Sequence, residues 1–315
     1  MNIAVFDSKS YDVESLSPYQ GKDGINYKFF EAKLNEDTVT LAKGFDGVCV
    51  FVNDNVNAYV ITKLYEYGCR IIALRCAGFN NVDVDYARGR IAVARVPAYS
   101  PHAVAEHAMA MLLTSVRRIH KAYIRTRDYN FSLNGLTGFD LYGKTVGIIG
   151  TGRIGSAFAD ICNGFGMNVL AYDSVPNPRP DIKYVTKDEL FERSDIISLH
   201  CPLSEETHHL INAEALCRMK KGVIIINTSR GALIDTECLV KELLSRRIGG
   251  ACLDVYEEEG DIFYEDKSGH IMNDEVLARL ISMPNVIVTS HQGFLTKEAL
   301  SNIAQTTHFN IKSLE

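Results

Sequence analysis

The chain has 315 residues, a length that suits two domains, and its 46% hydrophobic content is enough for sizeable cores. A formal charge of −6 offers no basic face, which argues against nucleic acid and anionic lipid as partners. Eight cysteines are scattered without a CxxC or CxxxC pair, so neither a metal site nor a disulfide framework is expected; they read as buried thiols of a reducing cytoplasm. The opening MNIAVFDSKS has no basic stretch and too short an apolar run for a signal peptide. The window Ala103 to Leu113 is interrupted by Glu106 and His107, so no membrane span is expected.

The first hundred residues alternate strand and helix signals. Ile3 to Phe6, Tyr27 to Phe30, Gly47 to Val52, Arg70 to Leu74 and Ile91 to Ala94 are short apolar runs, and segments such as Asn57 to Tyr67 between them carry apolar residues at helical spacing. Such alternation predicts a parallel sheet with crossover helices, an open flavodoxin-like α/β domain. Its fourth strand ends in RCAGFNN, and ligands of open α/β sheets sit at the carboxyl ends of strands. The Ala77-Gly78 turn there would expose N–H groups able to hold a carboxylate.

Ser100-Pro101 starts a helix, with Ser as cap and Pro at the first helical position, that would run to about Arg118. Its residues are apolar nearly all round, which places it between elements or against a second subunit. Tyr123 to Leu141 reads as irregular polar chain.

Lys144 to Phe158, KTVGIIGTGRIGSAF, follows. Thr145 to Ile149 is a buried-strand signal, and Gly150, Gly152 and Gly155 come directly after it. In the dinucleotide-binding pattern the first glycine allows a sharp turn, the second lets backbone approach a pyrophosphate, and the third lets the next helix pack on the strand. That helix, starting near Arg153, would point its N–H groups at phosphates. Asn168 to Tyr172 is a second strand ending in Asp173, placed to accept from the ribose hydroxyls of NAD and to repel the 2′-phosphate of NADP.

Further strand signals at Asp195 to Leu199, Val223 to Asn227, Gly249 to Leu253 and Val286 to Val288 bring the expected sheet to six strands, as in a two-halved Rossmann domain. If all run parallel, one edge collects Asp173, His200, Thr228-Ser229-Arg230-Gly231, Asp254 with Glu257, Glu258 and Glu259, and Ser290-His291. A guanidinium, a carboxylate and an imidazole there fit redox chemistry of a 2-keto acid. Arg230 would fork onto the substrate carboxylate, and a histidine, favoured as its cation by a nearby acid, would donate the proton as hydride arrives. His208-His209 has no evident ligand partner and reads as structural.

The motifs VGIIGTGRIG, LHCPLSEETHHLIN, IINTSRGALID, LDVYEEEG and SHQGFLTKEAL, preceded by RCAGFNNVD and VPAYSPHAVAEH, together resemble the D-isomer-specific 2-hydroxyacid dehydrogenases from about residue 70 to the end. DIFYEDKSGH and HQGFLT are similar to the fermentative D-lactate dehydrogenases of that family. The resemblance implies that Arg230 is the substrate arginine, His291 the acid/base and Glu259 its paired carboxylate. It implies that Ala77, Gly78, Tyr99 and Phe294 face the substrate, and that Gly150, Gly152, Arg153, Ile154, Gly155, Asp173, His200, Pro202, Thr207, Thr228 and Asp254 line NAD. The expected organisation is α/β, with a Rossmann NAD-binding domain over 100–295 and a discontinuous flavodoxin-like substrate domain over 1–99 and 296–315. A homodimer or higher homo-oligomer joined through the helix from Ser100, and a tail running past Glu315, are also implied. The implied reaction is reduction of pyruvate to D-lactate. A dehydrogenase of a bulkier 2-keto acid, a non-catalytic NAD-sensing protein and a Rossmann methyltransferase are the rivals, the last leaving the arginine and histidine without a purpose.

Overall fold

The computed structural model describes residues 1–314, except the side chain of Asp261; Glu315, the last residue of the expected substrate domain, lies outside them. The chain divides into two compact units, one of Met1–Ser100 with the segment from Phe294 onward, the other of Pro101–Gly293.

The first unit contains β1 (Asn2–Val5), α1 (Ser10–Leu16), β2 (Asn26–Phe29), β3 (Gly47–Val50), α2 (Ala58–Glu66), β4 (Ile71–Leu74), α3 (Val84–Ala87) and β5 (Ala92–Arg95), and takes the C-terminal helix Lys297–Ser313 as well. Its strands pair in parallel in the order β2-β1-β3-β4-β5, the flavodoxin-like arrangement. The C-terminal helix contributes Ala304 and Ile311 to a core with Ile3, Val5, Tyr27 and Ile71. It is further tied down where Tyr27 Oη meets His308 Nδ1 at 2.8 Å.

The second unit contains α4 (Pro101–Arg117), α5 (Ile119–Arg127), β6 (Thr145–Ile149), α6 (Arg153–Gly164), β7 (Asn168–Tyr172), β8 (Lys183–Tyr184), α7 (Lys187–Arg193), β9 (Ile196–Leu199), α8 (Ala213–Arg218), β10 (Ile224–Asn227), α9 (Thr236–Leu244), β11 (Gly250–Leu253), α10 (Glu275–Ser282) and β12 (Val286–Val288). All its strand pairs are parallel, in the order β12-β11-β10-β9-β6-β7-β8. The strands are short apolar runs because both sheet faces are covered. Ile225 of β10 faces one core, and its neighbours Ile224 and Ile226 face the other with Phe158 and Met109.

Two expectations change. The sheet has seven strands, because two-residue β8 adds to the edge beside β7; so short a strand, after the proline-containing stretch 174–182, has no periodicity to read. The segment expected to be irregular from Tyr123 is helical to Arg127, since left-handed Arg118 (φ +53°) ends α4 and α5 begins immediately after it. Its Ile119, Tyr123 and Ile124 face outward, so no inward apolar stripe marks it. Helix α4 is buried between elements, one of the two expected placements: Ala105, Ala108, Met109, Met111 and Leu112 pack with Phe158 of α6 and Cys252 of β11. Among the described residues no helix is long and apolar enough to cross a membrane.

Candidate active site

Parallel strands bring their carboxyl ends to one edge, so the loops after β6, β7, β9, β10, β11 and β12 share it. The chain leaves β6 in one direction toward β7 and β8, then returns to β9 on the other side of β6, which makes the point between β6 and β9 the switch in strand order. Crevices in open α/β sheets form there.

The glycine loop spans that point. Gly150 has φ +92°, and a Cβ on it would lie 2.5 Å from the Cys201 nitrogen; one on Gly155 would lie 1.9 Å from the Gly150 carbonyl oxygen. A Cβ on Gly152 would meet nothing within 4 Å, so the loop is tight behind and open in front. Helices α7 to α10 each receive a side-chain cap, from Thr186, Asn212, Asp235 and Asp274. Helix α6 begins at Gly152 with no side-chain cap, which leaves its first N–H groups for an anion.

Asp173 follows β7. Its Oδ2 accepts from the Thr151 nitrogen at 2.6 Å and the Thr151 hydroxyl at 2.9 Å, and its Oδ1 accepts from the Val175 nitrogen at 2.9 Å. Burial acts to raise its pKa, but these hydrogen bonds outweigh it and hold the carboxylate below its usual range. Tyr184 of β8 donates to the Thr151 hydroxyl at 2.9 Å, so the short strand braces the acid. Neither Thr151 nor Tyr184 was among the expected residues; the only sign of Thr151 was its place between two motif glycines.

His200 follows β9, but its ring turns back under the loop, onto Phe158 at a centroid distance of 5.1 Å and with Nε2 2.8 Å from the Ser198 hydroxyl. Its Cβ would be 3.4 Å from a Cβ on Gly155. Its ring supports the loop from behind. Burial pushes its pKa down to about 3, so the ring is neutral. Nearby, the Thr207 hydroxyl donates to the Pro202 carbonyl at 2.8 Å and accepts from the Ser204 nitrogen at 2.7 Å, which closes the 202–207 turn.

After β10, the Asn227 side chain accepts from the Ser229 nitrogen at 3.0 Å and donates to the Arg230 carbonyl at 2.8 Å, and this local clamp presents half-buried Arg230. The buried Thr228 hydroxyl has no hydrogen-bond partner. The open face of Gly152, the uncapped α6 and this orphaned hydroxyl together suit a bound dinucleotide.

The three consecutive glutamates separate by partner. Glu257 Oε1 meets His209 Nε2 at 2.6 Å and Oε2 accepts from the Thr236 hydroxyl at 3.1 Å, whereas Glu259 Oε1 meets His291 Nδ1 at 2.8 Å and Oε2 accepts from the Tyr256 nitrogen at 2.9 Å. His209 therefore does have a partner, 48 residues away. His208, His209 and Glu257 offer ligand atoms within 4.8 Å of one another. Their two rings are stacked at 4.0 Å and 28°, so their in-plane lone pairs run side by side instead of converging, and His209 commits Nε2 to Glu257; the cluster is a hydrogen-bonded latch between loops. His291 has φ +53°, a left-handed conformation that costs a residue with a Cβ on the order of 1–3 kcal/mol and persists where its surroundings over-determine it. With Nδ1 on Glu259, its Nε2 has no hydrogen-bond partner among the described residues.

In the first unit, Phe294 is buried among the rings of Tyr11 at 6.2 Å, Phe51 at 5.9 Å and Tyr99 at 6.4 Å. Tyr11 and Phe51 were not anticipated, although Phe51 directly follows β3. Ala77 and Gly78 are half-buried just after Arg75, which is 1% exposed and fixed by Asp12 at 2.9 Å and the Asp7 carbonyl at 2.7 Å.

An edge built this way belongs to an enzyme that moves hydride with a dinucleotide and a proton with a side chain. The profile of the D-isomer specific 2-hydroxyacid dehydrogenase NAD-binding domain matches residues 109–293. A 2-hydroxyacid dehydrogenase homolog of Haemophilus influenzae is 52% identical over all of this chain and 96% of its own. A D-lactate dehydrogenase of Escherichia coli is 50% identical over all of this chain and 97% of its own. The solved pyruvate reductase of Chlamydomonas reinhardtii superposes with a TM-score of 0.93 at 44% identity, covering 99% of this chain and 96% of that one. The chain belongs to the D-isomer-specific 2-hydroxyacid dehydrogenases, NAD-dependent oxidoreductases.

The neutral state of His200 is open to a direct check. Its ring resonances, followed by NMR, should not titrate between about pH 5 and pH 8, where an ordinary histidine does; a midpoint inside that range would mean that the ring is solvated.

Proposed function

We propose that this enzyme reduces pyruvate to D-lactate, with Arg230 binding the substrate and the Glu259–His291 pair supplying the proton. The observation that carries the reading is His291 Nδ1 on Glu259 at 2.8 Å, which orients the ring and leaves Nε2 without a hydrogen-bond partner among the described residues, on the same sheet edge as Arg230. The Arg230 guanidinium forks onto the substrate carboxylate and polarises the keto oxygen. The first unit, with Ala77, Gly78, Tyr99 and Phe294 as its substrate-side residues, is read as the substrate domain and the second as the NAD-binding domain. When bound, the reduced form of NAD would supply the hydride that the keto carbon takes up. As that carbon is reduced, Nε2 of His291 gives its proton to the oxygen, and Glu259 stabilises the ring through the transfer.

Gly150, Gly152, Arg153, Ile154 and Gly155 would cradle the pyrophosphate, Asp173 would accept from the adenosine ribose, Pro202 and Thr207 would border the adenine side, and Thr228 and Asp254 would lie toward the nicotinamide. Pyruvate is favoured among 2-keto acids by the names of the similar D-lactate dehydrogenase and pyruvate reductase. Regenerating oxidised NAD in this way suits fermentation in the cytoplasm, a setting in keeping with eight free cysteines.

We also propose a homodimer. The apolar surface available for it lies after α4, where Tyr123, Ile124, Tyr129 (86% exposed), Phe131 and Leu133 (79% exposed) face outward.

Three measurements test these assignments. Oxidation of NADH by the purified protein against pyruvate, 2-ketobutyrate, 2-ketoisocaproate, phenylpyruvate, oxaloacetate and 2-ketoglutarate should favour pyruvate and give the D-product; preference for a larger acid would keep the mechanism and replace the substrate. His291→Gln should retain NADH binding while turnover falls about 100- to 10,000-fold, the range of general acid catalysis, and native turnover in that variant would remove His291 from the reaction. Sedimentation should give twice the chain mass, and Phe131→Asp with Leu133→Asp should give the monomer; a monomeric native protein would refute the dimer.

A further inference from the structure

The left-handed turn that carries His291 rests on one residue. Three consecutive backbone N–H groups donate to Asp254: His291 to its carbonyl oxygen at 2.6 Å, Gln292 to Oδ1 at 2.9 Å and Gly293 to Oδ2 at 2.8 Å. The approach is close enough that a Cβ on Gly293 would lie 3.0 Å from Asp254 Oδ2 and 3.5 Å from His107 Cδ2.

Asp254 is 1% exposed, and a carboxylate has about four lone-pair sites to satisfy. Gln292 and Gly293 occupy two. The Thr289 hydroxyl donates at 2.5 Å, and His107 Nε2 lies 3.2 Å from Oδ1 and 3.2 Å from the Thr289 oxygen. Both neighbours of Nε2 can accept, which sets the proton of a neutral His107 on that nitrogen. Burial alone would raise the Asp254 pKa, but His107 and Thr289 hold the carboxylate below its usual range. His107 contributes from α4, an element that supplies none of the residues assigned to chemistry above.

We infer that His107 is a positioning residue for the reaction: donating from Nε2, it fixes the Asp254 carboxylate that shapes the turn and so aims His291 at the substrate. This rests on His291 being the proton donor. Glu259 meets His291 at Nδ1, and the Tyr264 hydroxyl donates to the His291 carbonyl at 3.2 Å, whereas His107 meets Asp254 and Thr289. His107 therefore acts through the backbone of the turn.

The test compares steady-state kinetics with pyruvate and NADH binding by fluorescence in His107→Leu, His107→Gln, Thr289→Val and His291→Gln. Misplacing a catalytic group by about 1 Å costs up to about 100-fold, so His107→Leu should lower kcat about 10- to 100-fold with NADH affinity unchanged. His107→Gln, whose side-chain amide can donate to the same oxygen, should restore most of kcat. Thr289→Val should lower kcat with NADH affinity intact, and it decides the matter if His107→Leu does not fold. Native kcat in His107→Leu while His291→Gln is inactive would overturn the positioning role and leave the proton donor standing; native kcat in His291→Gln would remove both. Equal losses in the leucine and glutamine variants, or a loss of NADH affinity in place of kcat, would also overturn it.

Discussion

Parallel pairing throughout the seven-stranded sheet is the constraint from which the rest of this site follows. Because each strand runs the same way, residues separated by more than a hundred positions, from the glycine loop at Gly150 to His291, arrive at one edge without any need for a direct contact between them. The crossover helices that make parallel pairing possible also cover both faces of the sheet. The edge can then carry charged groups, while the strands stay mostly apolar.

Charge at that edge is tolerated because each carboxylate is satisfied by donors from its own neighbourhood. Asp173 takes Thr151 and Val175, Glu259 takes Tyr256 and His291, and Asp254 takes a whole turn of backbone with Thr289 and His107. A buried carboxylate without such donors would take up a proton and lose its hold. The same arrangement supplies rigidity. His291 sits in a strained conformation that the three N–H bonds to Asp254 help to hold, together with Tyr264 on its carbonyl and Glu259 on its ring, so the orientation of the ring is built into the fold.

Much of this was legible in the residues. Glycines at 150, 152 and 155 between a strand and a helix identified the loop, and Asp173 at the end of the next strand followed from it. Arg230, Glu259 and His291 were named on family resemblance, and Glu259 does meet His291. What escaped were features with no local period. Strand β8 has two residues, and α5 turns its apolar side chains outward. His200 was placed correctly along the chain, but the direction of its ring depends on Phe158 and Ser198.

Sequence alone determined the parallel α/β organisation, the phosphate loop and the identity of the groups at strand ends, because these depend on short-range patterns of apolar residues, glycines and strand-to-helix order. Only tertiary structure decided that Glu257 holds His209, and that His107 and Thr289 stand behind the turn that carries His291. Those pairings join residues as far apart as 182 positions. Hydrogen bonds form wherever donor and acceptor come within about 3 Å, and that proximity is created by packing the sheet and its helices, not by any pattern along the chain.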